Sequence, residues 1–387
     1  MQFDIVFEGG GAKGMAFAGA LDELERQGHS TGRLLGTSAG AITATLLAAG
    51  YDAKGLLGTL NERVGEQSVF STFLAVPQGF SREEVEGSVL KGLLRSLDLP
   101  LVSNATEEWL GNQLLTALGK LPISRHVFSF MERGGWYSSE PLVEWMRRKL
   151  NESRLGVLGD CTLSEFSAAT QRNLTLVASD TSNSRLLILN AQTAPELPVV
   201  QAVRMSMSIP MVWEAVVWRA EWGSYRGGAM AGAEIVDGGI LSNFPIELFL
   251  SNQSMVRSVM GPPVGEEVLG VLIDETIAVP DAPAAEQKPS DQMSQRLLGR
   301  QRRLVDTVVK GRDKQVMESY AHLVAHLPAK DYGATEFDMS EARKKALVDG
   351  GRNSMRAYLE GRATVPLAFG MEEDEAVDRF ALRLVGE

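Results

Sequence analysis

Five small residues, Gly36-Thr37-Ser38-Ala39-Gly40, sit between two apolar runs. A serine flanked by small residues at a strand-to-helix bend is held exposed at a sheet edge, because bulkier neighbours clash there. Such a serine can serve as a nucleophile; the same residues also make a tight turn in which Ser38 caps the next helix. Upstream, Gly9-Gly10-Gly11-Ala12-Lys13-Gly14 would open a helix with bare amides, where unpaired N–H groups and the helix dipole favour negative charge. Together the two turns read as a nucleophile beside an oxyanion binder. Lys13 suits an anion near the glycines, or is a solvated lysine at a helix start. The GxGxxG spacing of Gly9, Gly11 and Gly14 is equally the dinucleotide fingerprint, which expects an acid about 20 residues on. No Asp or Glu lies between Gln27 and Gly50, so a nucleotide would lack its ribose contact.

A serine needs a base, and the chain offers four histidines, His29, His126, His322 and His326. His322 and His326 read as one helical turn apart on an apolar segment, the placement of structural histidines. No HExxH-type carboxylate accompanies them as a metal motif would require. A carboxylate is the better candidate. Val236-Asp237-Gly238-Gly239 ends an expected strand, and Asp237 is either the partner of Ser38 or part of an ordinary Asp-Gly turn. An aspartate of ordinary pKa and a hydroxyl titrating above 10 are separated by at least about six units, roughly 8 kcal/mol. The proton would therefore move as a carbonyl is attacked, with amides preorganised on the developing oxyanion supplying most of the stabilisation.

These residues need a scaffold. Residues 3–7 read as a buried strand, 15–27 as a helix stopped by Gly28, 33–35 as a second strand and 39–49 as a helix ending at Gly50. Strand, helix, strand, helix predicts a parallel sheet covered on both faces. Further strands are expected at 174–179, 185–190, 212–217, 234–237 and 268–273. Residues 1–277 form the expected catalytic domain, with 60–133 as a helical insertion or lid. Residues 278–294, rich in Pro, Ala, Gln and Ser, read as a linker, and 295–387 as a helical region packed on the domain.

Composition narrows the function. The chain has 387 residues, 44% of them hydrophobic, and a net charge of −11, which disfavours nucleic acid as a partner. Cys161 is the only cysteine, which suits a reducing compartment, and no basic neighbour activates its thiol. The immediate strand at the N-terminus leaves no room for a signal peptide, and no run reaches the roughly 18 apolar residues that span a bilayer. The expected location is cytoplasmic, with peripheral membrane association and export without a cleavable signal left open.

The ordered set GGGAKG, GTSAG and DGG, with Met205-Ser206-Met207-Ser208-Ile209-Pro210, resembles the patatin-like phospholipase family over about residues 3–360. The resemblance implies a three-layer α/β/α sandwich with a mostly parallel central sheet, and a Ser-Asp dyad without a catalytic histidine. By motif position, Ser38 would be the nucleophile and Asp237 the general base. The amides of Gly9, Gly10 and Gly11 would form the oxyanion hole, with Lys13, Gly14, Gly36, Gly40, Gly238 and Gly239 completing the motifs. The implied reaction is glycerolipid acyl-ester hydrolysis of phospholipase A or lysophospholipase type through an acyl-enzyme, on phospholipid or lysophospholipid, with no metal or cofactor. Glu8, before the glycines, departs from many members. A nucleotide-binding oxidoreductase and an inactive lipid-binding protein are the alternatives. Membrane contact could come from the Phe-rich stretch 70–80, a basic helix at 296–312, or Trp213, Trp218 and Trp222; buried packing or a solvated face is the plainer reading of each.

Overall fold

The computed structural model describes residues 1–65, 67–80, 84, 88, 122–284, 320–334, 336–363 and 375–386. Period-two alternation decides its layers. In β1 (Gln2–Phe7), Phe3, Ile5 and Phe7 enter one core and Val6 the other. β2 (Ser30–Thr37) divides Leu34 from Leu35, and β3 (Leu174–Asp180) divides Leu174 and Leu176 from Val177, in the same way. Strands buried on both faces need cover on both sides.

β4 (Arg185–Leu189), β5 (Val216–Val217), β6 (Glu234–Asp237), β7 (Glu267–Ala278) and β8 (Val324–Lys330) complete the sheet among the described residues. Its order is β8-β7-β1-β2-β3-β6-β5, with β4 paired to β3. From β8 to β3 all pairings are parallel, whereas β4, β5 and β6 join antiparallel.

The helices packed on the sheet include α1 (Ala16–Arg26), α2 (Ala39–Ala48), α3 (Ala53–Leu60), α4 (Glu140–Asn151), α5 (Val199–Met207), α6 (Ser254–Met260), α7 (Glu341–Ala363) and α8 (Glu375–Gly386). α1 to α5 and α7 share the core of Phe3, Ile5 and Phe7; α6 and α8 cover the face of Val6. The result is the three-layer α/β/α sandwich with a mostly parallel sheet.

Two expectations change and one open alternative closes. The segment 322–327 is not one helical run: a 3-10 turn at Ala321–Leu323 leads into β8, which pairs in parallel with β7 and sets His326 opposite Leu272, so the C-terminal part contributes an edge strand as well as helices. The strand expected at 212–217 is two pieces. Met211–Trp213 pairs with Gly135–Tyr137, and after Glu214 and Ala215 the chain enters the main sheet as β5. Trp213, Trp218 and Trp222 are all buried, which removes them as interfacial anchors. Phe70 and Phe73 also lie in the core, each packed against Trp145.

Most of the expected insertion, from 85 to 121 apart from residue 88, lies outside the described residues, as do the linker from 285 and the basic helix at 296–312. No described helix is long and apolar enough to cross a membrane.

Candidate active site

β2 hands over to α2 through Ser38, whose backbone adopts φ 52° and ψ −119°. A positive φ is uncommon for a residue with a side chain and is held only where the surroundings over-determine it. Here the glycines do so. A Cβ on Gly36 would strike the Gly40 carbonyl, and one on Gly40 would lie 2.5 Å from the Phe7 carbonyl oxygen, so α2 can start hard against β1 only with glycine at both places. The Ser38 amide donates to Ser206 Oγ at 3.0 Å. Its hydroxyl makes no cap bond to α2 and lies 3.8 Å from Met207 Sδ. The capping alternative for Ser38 therefore fails, and the hydroxyl is left for other work.

The glycine loop after β1 lies against this serine. A Cβ on Gly9 would be 3.1 Å from Ser38 Cβ. The Gly9 amide is already used, donating to the Asn243 carbonyl at 3.2 Å. Among the described residues the amides of Gly10 and Gly11 donate to no protein acceptor, and they open the 3-10 turn Gly11–Met15 that runs into α1. The expectation of three oxyanion amides thus narrows to two. Gly11 has φ +56°, and a Cβ there would collide with the Ala334 carbonyl.

Asp237 ends β6 and is buried. Its amide donates to the Ser208 carbonyl at 2.9 Å, and its Oδ1 accepts from the Gly239 amide at 2.7 Å. Oδ2 has no hydrogen-bond partner of good geometry, although the Ser38 hydroxyl is near enough to favour the charged carboxylate. Such a loose contact is common before substrate tightens a site. Burial dominates over both hydrogen bonds and pushes the Asp237 carboxyl up to about 7.

Two residues that motif reading passed over tie these loops together. Asn243 Nδ2 donates to Glu8 Oε1 and to the Gly9 carbonyl, both at 3.0 Å, while Glu8 Oε2 accepts from the Ile273 amide at 2.7 Å. Glu8, the departure from the family pattern, thus helps fix the glycine loop to β7 and to the segment after Asp237. Asn243 carries no motif signal of its own and lies four residues after Gly239.

Lys13 is corrected on both of its readings. It is buried and forms an ion pair with Glu275, so it neither faces an anion at the glycines nor stands in solvent. The four histidines are engaged elsewhere: His326 Nδ1 lies 3.0 Å from Asp274 Oδ2, His126 bonds the Trp136 carbonyl, His29 packs on Phe3 and His322 lies beside the Tyr320 ring. Cys161 is buried, which pushes its thiol up to about 12.

Beside Ser38 opens an apolar pocket. Gly11, Ala39 and Met207 line it on the serine side, and Ile42, Leu46, Leu56, Phe70 and Phe73 continue it inward. The hydroxyls of its two threonines, Thr43 and Thr59, are spent on the Ala39 and Leu56 carbonyls, so its wall presents little polarity.

The α/β/α sheet, the serine turn and the apolar pocket are an arrangement that suits a lipid acyl hydrolase. The family model described as patatin-like phospholipase matches residues 5–250, and the chain belongs to that family. Over 369 residues it is 28% identical to YqhO of Bacillus subtilis (strain 168), covering 93% of this chain and 99% of that protein. Among solved structures it is similar to VipD from Legionella pneumophila, at 17% identity and a TM-score of 0.44, over 93% of this chain and 67% of that one. It is also similar to the type III effector ExoU of Pseudomonas aeruginosa, at 18% identity and a TM-score of 0.41, over 94% of this chain and 53% of ExoU. The chain therefore spans about half the length of ExoU. Family membership sets aside the dinucleotide reading of the glycine loop.

Proposed function

We propose that the chain hydrolyses acyl esters of glycerolipids, phospholipid or lysophospholipid, by a Ser38-Asp237 dyad through an acyl-enzyme. The observation that carries this reading is the uncapped, positive-φ Ser38 beside a buried carboxylate whose second oxygen is unpartnered. Ser38 Oγ attacks the ester carbonyl as its proton passes to Asp237 Oδ2, and the amides of Gly10 and Gly11 receive the developing oxyanion. Collapse expels the alcohol, which takes the proton from Asp237. Water, giving its proton to Asp237, then attacks the acyl-enzyme; the fatty acid leaves as Ser38 recovers its proton. A carboxyl raised to about 7 is a stronger base than an ordinary aspartate, by about 4 kcal/mol of the proton-transfer gap. The apolar pocket beside Ser38 suits the acyl chain, and the enzyme meets lipid by peripheral contact from the water side.

A fluorophosphonate probe tests the nucleophile. One probe per chain is expected on the Ser38 peptide, with parallel loss of p-nitrophenyl ester turnover; labelling elsewhere, or turnover surviving full labelling, defeats the assignment. Products from a mixed lipid extract, read by mass spectrometry, separate a hydrolase from a lipid binder without turnover.

Asn243 supplies a second test. Asn243→Ala removes the side-chain clamp on Glu8 and Gly9 but keeps the backbone bond to the Gly9 amide. Misplacing oxyanion amides by a fraction of an ångström is expected to lower kcat by about 10- to 100-fold with KM little changed. Steady-state kinetics on a soluble ester check this; an unchanged kcat removes Asn243 as a positioning residue.

A further inference from the structure

One face of α2 forms a wall of the pocket beside Ser38. Ala39, Ile42, Thr43 and Leu46 all line it, at the i, i+3, i+4 and i+7 spacing of a single helical stripe. The stripe begins at the residue after Ser38 and ends where α2 turns toward α3. There Leu46 and Leu56, the latter in the first turns of α3, are both buried. Seven residues of helix rise about 10 Å. An extended hydrocarbon advances about 1.25 Å per bond, from carbon–carbon bonds of about 1.5 Å at near-tetrahedral angles, so the stripe spans about eight carbons.

We propose that this stripe of α2 is an acyl ruler, selecting ester substrates with chains of about eight carbons, with Leu46 and Leu56 as its end stop and Ile42 near its midpoint. The proposal rests on Ser38 being the nucleophile, because that fixes the zero of the scale. Each methylene that fits adds apolar burial, and a methylene beyond the stop must displace packed leucine or leave the pocket. Ile42 is half-buried, so a larger side chain there can enter the pocket without rebuilding the core.

The test is the ratio of kcat/KM values for p-nitrophenyl esters of four, eight, twelve and sixteen carbons in one mixed-micelle composition. Ratios within one preparation do not depend on the folded fraction. Wild type is expected to peak at eight carbons, with sixteen at least about tenfold lower. In Ile42→Phe the eight-to-four ratio should fall about 100-fold, the worth of about four buried methylenes. In Leu46→Ala and Leu56→Ala the twelve-to-eight ratio should rise about tenfold or more. A wild-type profile that climbs to sixteen carbons, or variant ratios equal to wild type, overturns the ruler while leaving the hydrolase reading intact. No turnover of any ester, or turnover equal in Ser38→Ala, overturns the hydrolase reading and the ruler with it.

Discussion

Ser38→Ala is expected to lower kcat for a soluble ester by about 10⁴-fold or more, the scale seen when a catalytic serine is removed. The covalent route is lost outright, and only the amides of Gly10 and Gly11 and substrate binding remain to help water attack directly. The fold should persist, because the Ser38 side chain caps nothing and its hydroxyl makes a 3.8 Å contact to the Met207 sulfur and a loose one to Asp237. Alanine must still adopt the positive φ, so the elbow stays strained to the same degree. Kinetics and a thermal melt on the same preparation separate the two quantities. Turnover within tenfold of wild type, with an unchanged melt, would remove Ser38 from the chemistry.

Local patterns carried much of this fold and the heart of the candidate site. The two glycine turns and the Asp-Gly-Gly turn each lie where one element meets the next, and close approach of backbone demanded their residue types directly. Gly40 against the Phe7 carbonyl is the clearest case. What could not be read were partners contributed from far along the chain. Lys13 finds Glu275 on the neighbouring strand β7, and Asn243 finds Glu8 and the Gly9 carbonyl. No spacing rule links such residues. The run around His322 and His326 failed for another reason: Leu323, Val324, Ala325 and Leu327 satisfy a helical stripe and a buried strand alike, and pairing with β7 decides for the strand. In the stretch 212–217, apolar residues on both sides of Glu214 suggested continuity. Glu214 is buried against Ser129 and Arg133, and the chain changes sheets there.

Asp237→Asn is expected to lower kcat by about 10³-fold or more while making the protein more stable above neutral pH. Asparagine keeps an oxygen for the Gly239 amide, so the turn after β6 can form unchanged. What it loses is a proton acceptor facing Ser38. In wild type, activity requires ionised Asp237, and kcat/KM should rise about tenfold per pH unit up to about 7 and then level; the variant's residual rate should lack that inflection. Stability runs the other way. Burial raises the carboxyl from 3.8 to about 7 on folding, so the stability it allows is fully present below pH 3.8 and lost as the pH rises through 7. Three pKa units correspond to about 4 kcal/mol, an upper bound on what the neutral side chain regains at pH 8. Urea unfolding at pH 4, 6 and 8 should show Asp237→Asn close to wild type at the lowest pH and progressively more stable above it. Equal stability at pH 8 would mean that the carboxylate is solvated in the folded state, and that the base strength ascribed to it comes from elsewhere. A loss of activity together with a gain of stability is the signature of a charge buried for chemistry, because a residue kept for packing loses both when it is replaced.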